Sequence, residues 1–100
     1  MTKPLVYSRQ AQSDLDEIFE FIAADNPRRA RSYVEEIQQA CRALCDTPLI
    51  GTARPDLQPE LRIHTLRRRV VIAYRVQPSQ LEILRVFTGG RDYETIMGGD

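Results

Sequence analysis

His64 is the only imidazole in the chain, and it stands two residues from Arg62. Residues two apart on a strand project from the same face. An imidazole exchanges protons near neutral pH, and a guanidinium holds phosphate or carboxylate in a fixed fork. The pair has the chemistry to move a proton beside a bound anion, although a lone histidine on a strand face is more often simply exposed. A second set of charged residues follows a double glycine: Arg85-Val86-Phe87-Thr88-Gly89-Gly90-Arg91-Asp92-Tyr93. It either presents an arginine to a partner, or Arg91 and Asp92 pair with each other or cap the tail. Cys41 and Cys45 are four apart on one helical face. With no second cysteine pair and no nearby histidine they do not make a zinc set, and they read as reduced, packed cysteines. Gly89-Gly90 is not followed by a helix carrying Lys-Ser/Thr, so it is no phosphate loop. The expectation is no metal, no cofactor and no assembled catalytic triad.

Arginine dominates the cationic chemistry. Fourteen basic and fourteen acidic side chains cancel over 100 residues, and every basic residue except Lys3 is arginine. A neutral chain is a poor general coat for DNA, and no sequence-specific nucleic-acid partner is expected. The charge is unevenly spread. Asp14, Asp16, Glu17, Glu20 and Asp25 face only Arg9 in the first helical stretch, whereas Arg54, Arg62, Arg67, Arg68, Arg69 and Arg75 face only Asp56 and Glu60. This describes one acidic face and one basic face. No apolar run is long enough for a membrane span, and Met1 to Val6 do not resemble a secretory leader. The expectation is one cytoplasmic domain over residues 1–100.

The elements that must position these residues follow from periodicity. Leu5-Val6-Tyr7 reads as a short strand, and Ser8 as a helix N-cap. Ala11, Leu15, Ile18 and Ile22 then form a helical stripe, flanked by Phe19 and Phe21. Asn26-Pro27 ends that helix and caps the next, whose stripe is Ala30, Tyr33, Val34, Ile37, Cys41 and Leu44. The short connection predicts an antiparallel helical hairpin. Arg28, Arg29 and Arg31 lie in the first turns of the second helix, where the dipole disfavours cations. Acidic partners on the first helix, or on a partner protein, would compensate. Residues 47–60 read as an irregular connector. Strands are expected from Leu61 to Thr65, Val70 to Val76 and Leu81 to Phe87, with Arg67-Arg68-Arg69 turning between the first two. A short turn or helix is expected from Arg91 to Met97. The order β-α-α-β-β-β predicts an α+β fold, an antiparallel sheet with an N-terminal helical hairpin packed on one face.

These residues resemble the ParE branch of the RelE/ParE toxin superfamily. The resemblance rests on Tyr7-Ser8-x-x-Ala11-x-x-Asp14-Leu15-x-x-Ile18-x-x-Phe21-Ile22; on Asn26-Pro27 followed by Ala30; on Leu44-x-x-x-Pro48-x-x-Gly51 with Leu61-Arg62; and on Ile72-x-Tyr74-Arg75, Ile83-x-Arg85-Val86 and Gly90-Arg91-Asp92. It implies a toxin of a type II toxin–antitoxin module that acts in the bacterial cytoplasm. Such a toxin inhibits DNA gyrase, blocks replication and is neutralised by a cognate antitoxin in a hetero-oligomer. The antitoxin's disordered C-terminal segment would fold onto Phe19, Phe21 and Tyr33, with its carboxylates near Arg28, Arg29 and Arg31. Arg62, Arg67, Arg85, Arg91 and Asp92 would meet the target. The RelE branch instead cuts mRNA on the ribosome, and Arg62, His64, Arg91 and Tyr93 are the matching residues for that alternative. Val71 stands where that branch carries an arginine on the central strand. A third alternative is an attenuated module mate that binds antitoxin with little toxicity.

Overall fold

The computed structural model describes residues 3–99. The chain runs β1 (Leu5–Tyr7), α1 (Arg9–Ala23), α2 (Pro27–Leu44), β2 (Thr52–Ala53), β3 (Leu61–Leu66), β4 (Val70–Val76), β5 (Leu81–Phe87) and α3 (Tyr93–Gly98). The strands form one sheet in the order β1-β5-β4-β3-β2. The expected α+β architecture is present, with two refinements. The sheet is mixed, because β1 pairs parallel with β5 while the other neighbours are antiparallel. The connector also contributes β2, a two-residue edge strand on β3.

The caps fall where the side-chain chemistry places them. The Ser8 hydroxyl accepts from the Ala11 N–H at 3.0 Å, and the Asn26 side chain accepts from the Arg29 N–H at 3.1 Å. The helical stripes bury Ala11, Leu15, Ile18, Ile37, Cys41 and Leu44 against Ile72, Tyr74, Leu81, Ile83 and Val86. The opposite face of the sheet has its own cover. Leu61, Ile63, Ala73 and Phe87 pack there with Met97, and Tyr93 of α3 lies against them. The C-terminal turn expected from the sequence therefore closes a second, smaller core.

Two irregularities decide where charged side chains go. Ala73 pairs with Arg85 and Tyr74 with Ile83, so Leu84 has no partner on β4. Such a bulge re-aims the side chains beside it, and Ile83 and Val86 both reach the helical side. The second is the β3–β4 turn, where the Arg69 N–H donates to the Leu66 carbonyl at 3.1 Å. Arg67 and Arg68 between them hold φ values of 52° and 60°. Positive φ at both central positions is the pattern of a type I′ turn, which prefers Asn-Gly. Two arginines there cost about 1 kcal/mol each relative to residues that tolerate the left-handed region.

Candidate binding groove

Asp14 joins α1 to β5. Its carboxylate is buried and accepts from Arg85 Nε at 2.8 Å, Arg85 Nη2 at 3.0 Å and the Val86 N–H at 2.9 Å. The reason is topological. β1 ends at Tyr7, so β5 loses its strand partner beyond Ile83 and its edge groups need other acceptors and donors. Ser8 takes over first, its N–H donating to the Ile83 carbonyl and its hydroxyl to the Leu84 carbonyl. Asp14 satisfies the next free N–H. The ion pair holds the Arg85 guanidinium above its ordinary value, chiefly through the Asp14 hydrogen bonds.

Beside this tether lies a groove of about 730 Å³. Ile18, Ile22, Tyr33 and Val86 contribute its apolar lining, Phe21 stands on one side and Glu17 on the α1 wall. Arg68 and Arg69 from the β3–β4 turn and Arg91 after the double glycine supply the basic side. Phe21 is 85% exposed, far more than an aromatic residue with only a packing role needs. Behind the turn, Arg29, Tyr33 and Glu36 of α2 meet Arg67 and Arg69. Arg29 stacks over the Tyr33 ring at 5.1 Å. Glu36 is shared by Arg29 at 3.5 Å and Arg67 at 3.2 Å.

The groove brings together Phe21, Tyr33 and Arg91, with Arg29 and Arg67 just behind it. It does not include Phe19, which is 36% exposed on α1 outside the lining. Arg28 and Arg31 are exposed on α2. The expected acidic compensation from α1 is replaced, for Arg29, by Glu36 of its own helix. Arg85 is corrected most clearly: the bulge turns it into the Asp14 pair, with 17% of its side chain exposed, so it is a tether rather than a free contact. Asp92 is also engaged. It caps α3, accepting from the Thr95 N–H at 3.2 Å and the Thr95 hydroxyl at 2.6 Å, and these bonds hold its carboxyl below the ordinary value. The cap is thus present at Asp92, and it leaves Arg91 out of that pair. Arg91 lies exposed, its guanidinium 5.6 Å from the Phe87 ring centroid.

The four residues of the ribonuclease alternative are not one constellation. His64 pairs with Ile72 and Arg62 with Tyr74, which places both on the helical side of β3. Arg62 donates to the Leu49 carbonyl at 3.2 Å and the Gly51 carbonyl at 2.7 Å, pinning the connector. Tyr93 packs in the opposite core, its hydroxyl near Arg54 at 3.4 Å. Among the described residues no group of histidine, cysteine and carboxylate side chains could hold a metal ion. No helix there is long and apolar enough to cross a membrane.

Sequence reasoning named Arg67 of the β3–β4 turn but not Arg68 and Arg69, because a turn carries no periodicity to show which of its side chains faces the groove. It missed Asp14 because a lone aspartate in an acidic helix reads as solvated. The signal for Asp14 was its spacing: it lies three residues after Ala11 and four before Ile18, on the face that carries the apolar stripe.

The helical hairpin on a mixed sheet, closed by a short C-terminal helix, defines the class of small RelE/ParE-like α+β proteins. Residues 5–93 match the family model described as ParE toxin of type II toxin–antitoxin system, parDE. A chain from the chromosomal ParDE toxin–antitoxin system of P. aeruginosa superposes with a TM-score of 0.74 at 28% identity, covering 87% of this chain and 96% of that one. A conserved hypothetical protein from Helicobacter pylori shares the fold, with a TM-score of 0.51 at 18% identity, covering 91% of this chain and 98% of that one. No curated protein matched the sequence significantly. The chain belongs to the ParE toxin family of type II toxin–antitoxin systems.

Proposed function

We propose that this ParE-type toxin inhibits DNA gyrase and blocks replication in the bacterial cytoplasm. A cognate antitoxin neutralises it by folding a C-terminal segment into the groove between α1, α2 and the end of β5. The observation that carries the reading is the groove itself: an apolar floor, an exposed aromatic side chain and arginines on one side. Folding on binding lets a disordered segment cover such a surface. Phe21 and Tyr33 serve as apolar anchors, and Arg29, Arg68, Arg69 and Arg91 meet the segment's carboxylates. The ribonuclease reading loses its support because Arg62 is spent on the connector and Tyr93 lies across the sheet from His64. Proton transfer and phosphate stabilisation need those groups within hydrogen-bond reach of one substrate.

The test is a gyrase supercoiling assay with purified protein, read together with trapping of cleaved DNA. Inhibition at micromolar toxin, reversed by the antitoxin, is expected. Unimpaired supercoiling together with codon-positioned mRNA cuts on ribosomes would overturn the proposal. Tight antitoxin binding without growth arrest on induction would point to an attenuated module mate.

A further inference from the structure

Arginines from three separate parts of the sequence meet around the adjoining grooves. Arg29 comes from the start of α2, Arg67, Arg68 and Arg69 from the β3–β4 turn, and Arg91 from the segment after β5. Glu36 is shared between two of these five. Glu17 lines the far wall, and Asp14 is already neutralised by Arg85. Arg67, Arg68, Arg69 and Arg91 are exposed. Arg67 and Arg68 occupy the left-handed region that Asn-Gly would fill without strain. A turn that keeps side-chain charge where backbone ease favours other residues is a candidate for function.

We infer that this arginine cluster is a sequence-independent contact for the phosphate backbone of duplex DNA. The guanidiniums border an open groove and are exposed to solvent, and their planar forks fit phosphate oxygens. Zero net charge argues against coating DNA along its length, but it does not bear on a local cluster of four exposed arginines. Glu17 repels a polyanion from the α1 wall and so confines the backbone to the turn side. The inference goes beyond the gyrase reading and is tested without gyrase.

The experiment is fluorescence anisotropy of a short labelled duplex of arbitrary sequence, titrated with the whole protein over a range of salt. Engagement of three phosphates lowers affinity about 40-fold between about 50 and about 200 mM salt. Binding is the same for unrelated sequences. Arg67→Asn/Arg68→Gly supplies the preferred turn residues, so it folds at least as well as the parent. It shifts the salt slope toward zero by about one for each phosphate that is no longer engaged. Arg69→Ala does the same, and Arg42→Ala at the other end of α2 leaves binding unchanged. Absence of duplex binding at low salt, or unaltered binding by the turn variant, overturns the inference. So does binding of poly-glutamate with the same arginine dependence while the duplex stays free, because the cluster would then read carboxylates. None of these results decides whether gyrase is the target.

Discussion

Replacing Asp14 by alanine tests whether one carboxylate holds the two walls of the groove together. The side chain is 6% exposed and accepts three hydrogen bonds, two from Arg85 and one from the Val86 N–H. Removing one partner of a buried ion pair costs about 3–5 kcal/mol, because the remaining charge is left without compensation. An unsatisfied buried N–H adds about 1–3 kcal/mol. Arg85 lies at the sheet edge and can turn part of its guanidinium toward water, so the lower end applies. We expect a loss of about 3 kcal/mol for Asp14→Ala, a large fraction of the stability of a domain this size. Asp14→Asn keeps an acceptor for Val86 and loses about half as much. The assay is urea unfolding, where a slope of about 1.5 kcal/mol per molar makes the alanine change a midpoint shift of about 2 M. Arg85→Met closes a double-mutant cycle, with a coupling of about 2 kcal/mol expected between the two positions. A loss below about 1 kcal/mol for Asp14→Ala, or additive single changes, would refute the tether.

Three further outcomes follow from the same structure. Phe21→Ser leaves stability within about 0.5 kcal/mol, as an exposed site should, and weakens antitoxin binding at least about tenfold, as loss of a central aromatic anchor does; calorimetry and denaturation read the two effects separately. The Tyr74 hydroxyl donates to the Pro48 carbonyl at 2.7 Å and accepts from the Gly51 N–H at 2.9 Å, so Tyr74→Phe lowers stability by about 1–3 kcal/mol. Burial pushes the Cys41 thiol from 9.0 up to about 11, and burial also raises Tyr7 and Tyr74. The unfolded chain therefore loses these protons first. Their contribution to stability is intact below about pH 9 and declines as pH rises toward about 11, by about 2–3 kcal/mol for Cys41 alone; Cys41→Ala flattens the first part of that decline in unfolding measured at successive pH values.

The elements were legible wherever one period ran unbroken. Ser8, Asn26 and Pro27 marked two helix starts, and the stripes from Ala11 to Ile22 and from Ala30 to Leu44 face the sheet as their spacing requires. The parallel pairing of β1 was not legible, because a three-residue strand carries no signal for its partner's direction. The bulge at Leu84 was hidden for a similar reason. Leu81 and Ile83 announce one face, and the next spacing, the three residues from Ile83 to Val86, breaks the period. That break is what carries Arg85 to Asp14. The Tyr7 hydroxyl shows a further limit of pattern reading. It is buried without a hydrogen-bond partner, so its contact with the Cys41 thiol is no more than a weak dipole interaction and burial dominates both groups.

The sequence separates the arginines expected to meet an antitoxin, Arg28, Arg29 and Arg31, from those expected to meet a target, such as Arg67 and Arg91. Folding removes part of that separation. Glu36 bonds Arg29 and Arg67 at once, and Arg68 and Arg91 line the same groove as Tyr33. If the antitoxin segment sits on Tyr33 and Phe21 as proposed, it would cover the guanidiniums that an anionic target would need. On the proposed reading, neutralisation would need only occupancy of the groove, with no conformational change in the toxin, and antitoxin and an anionic target would compete.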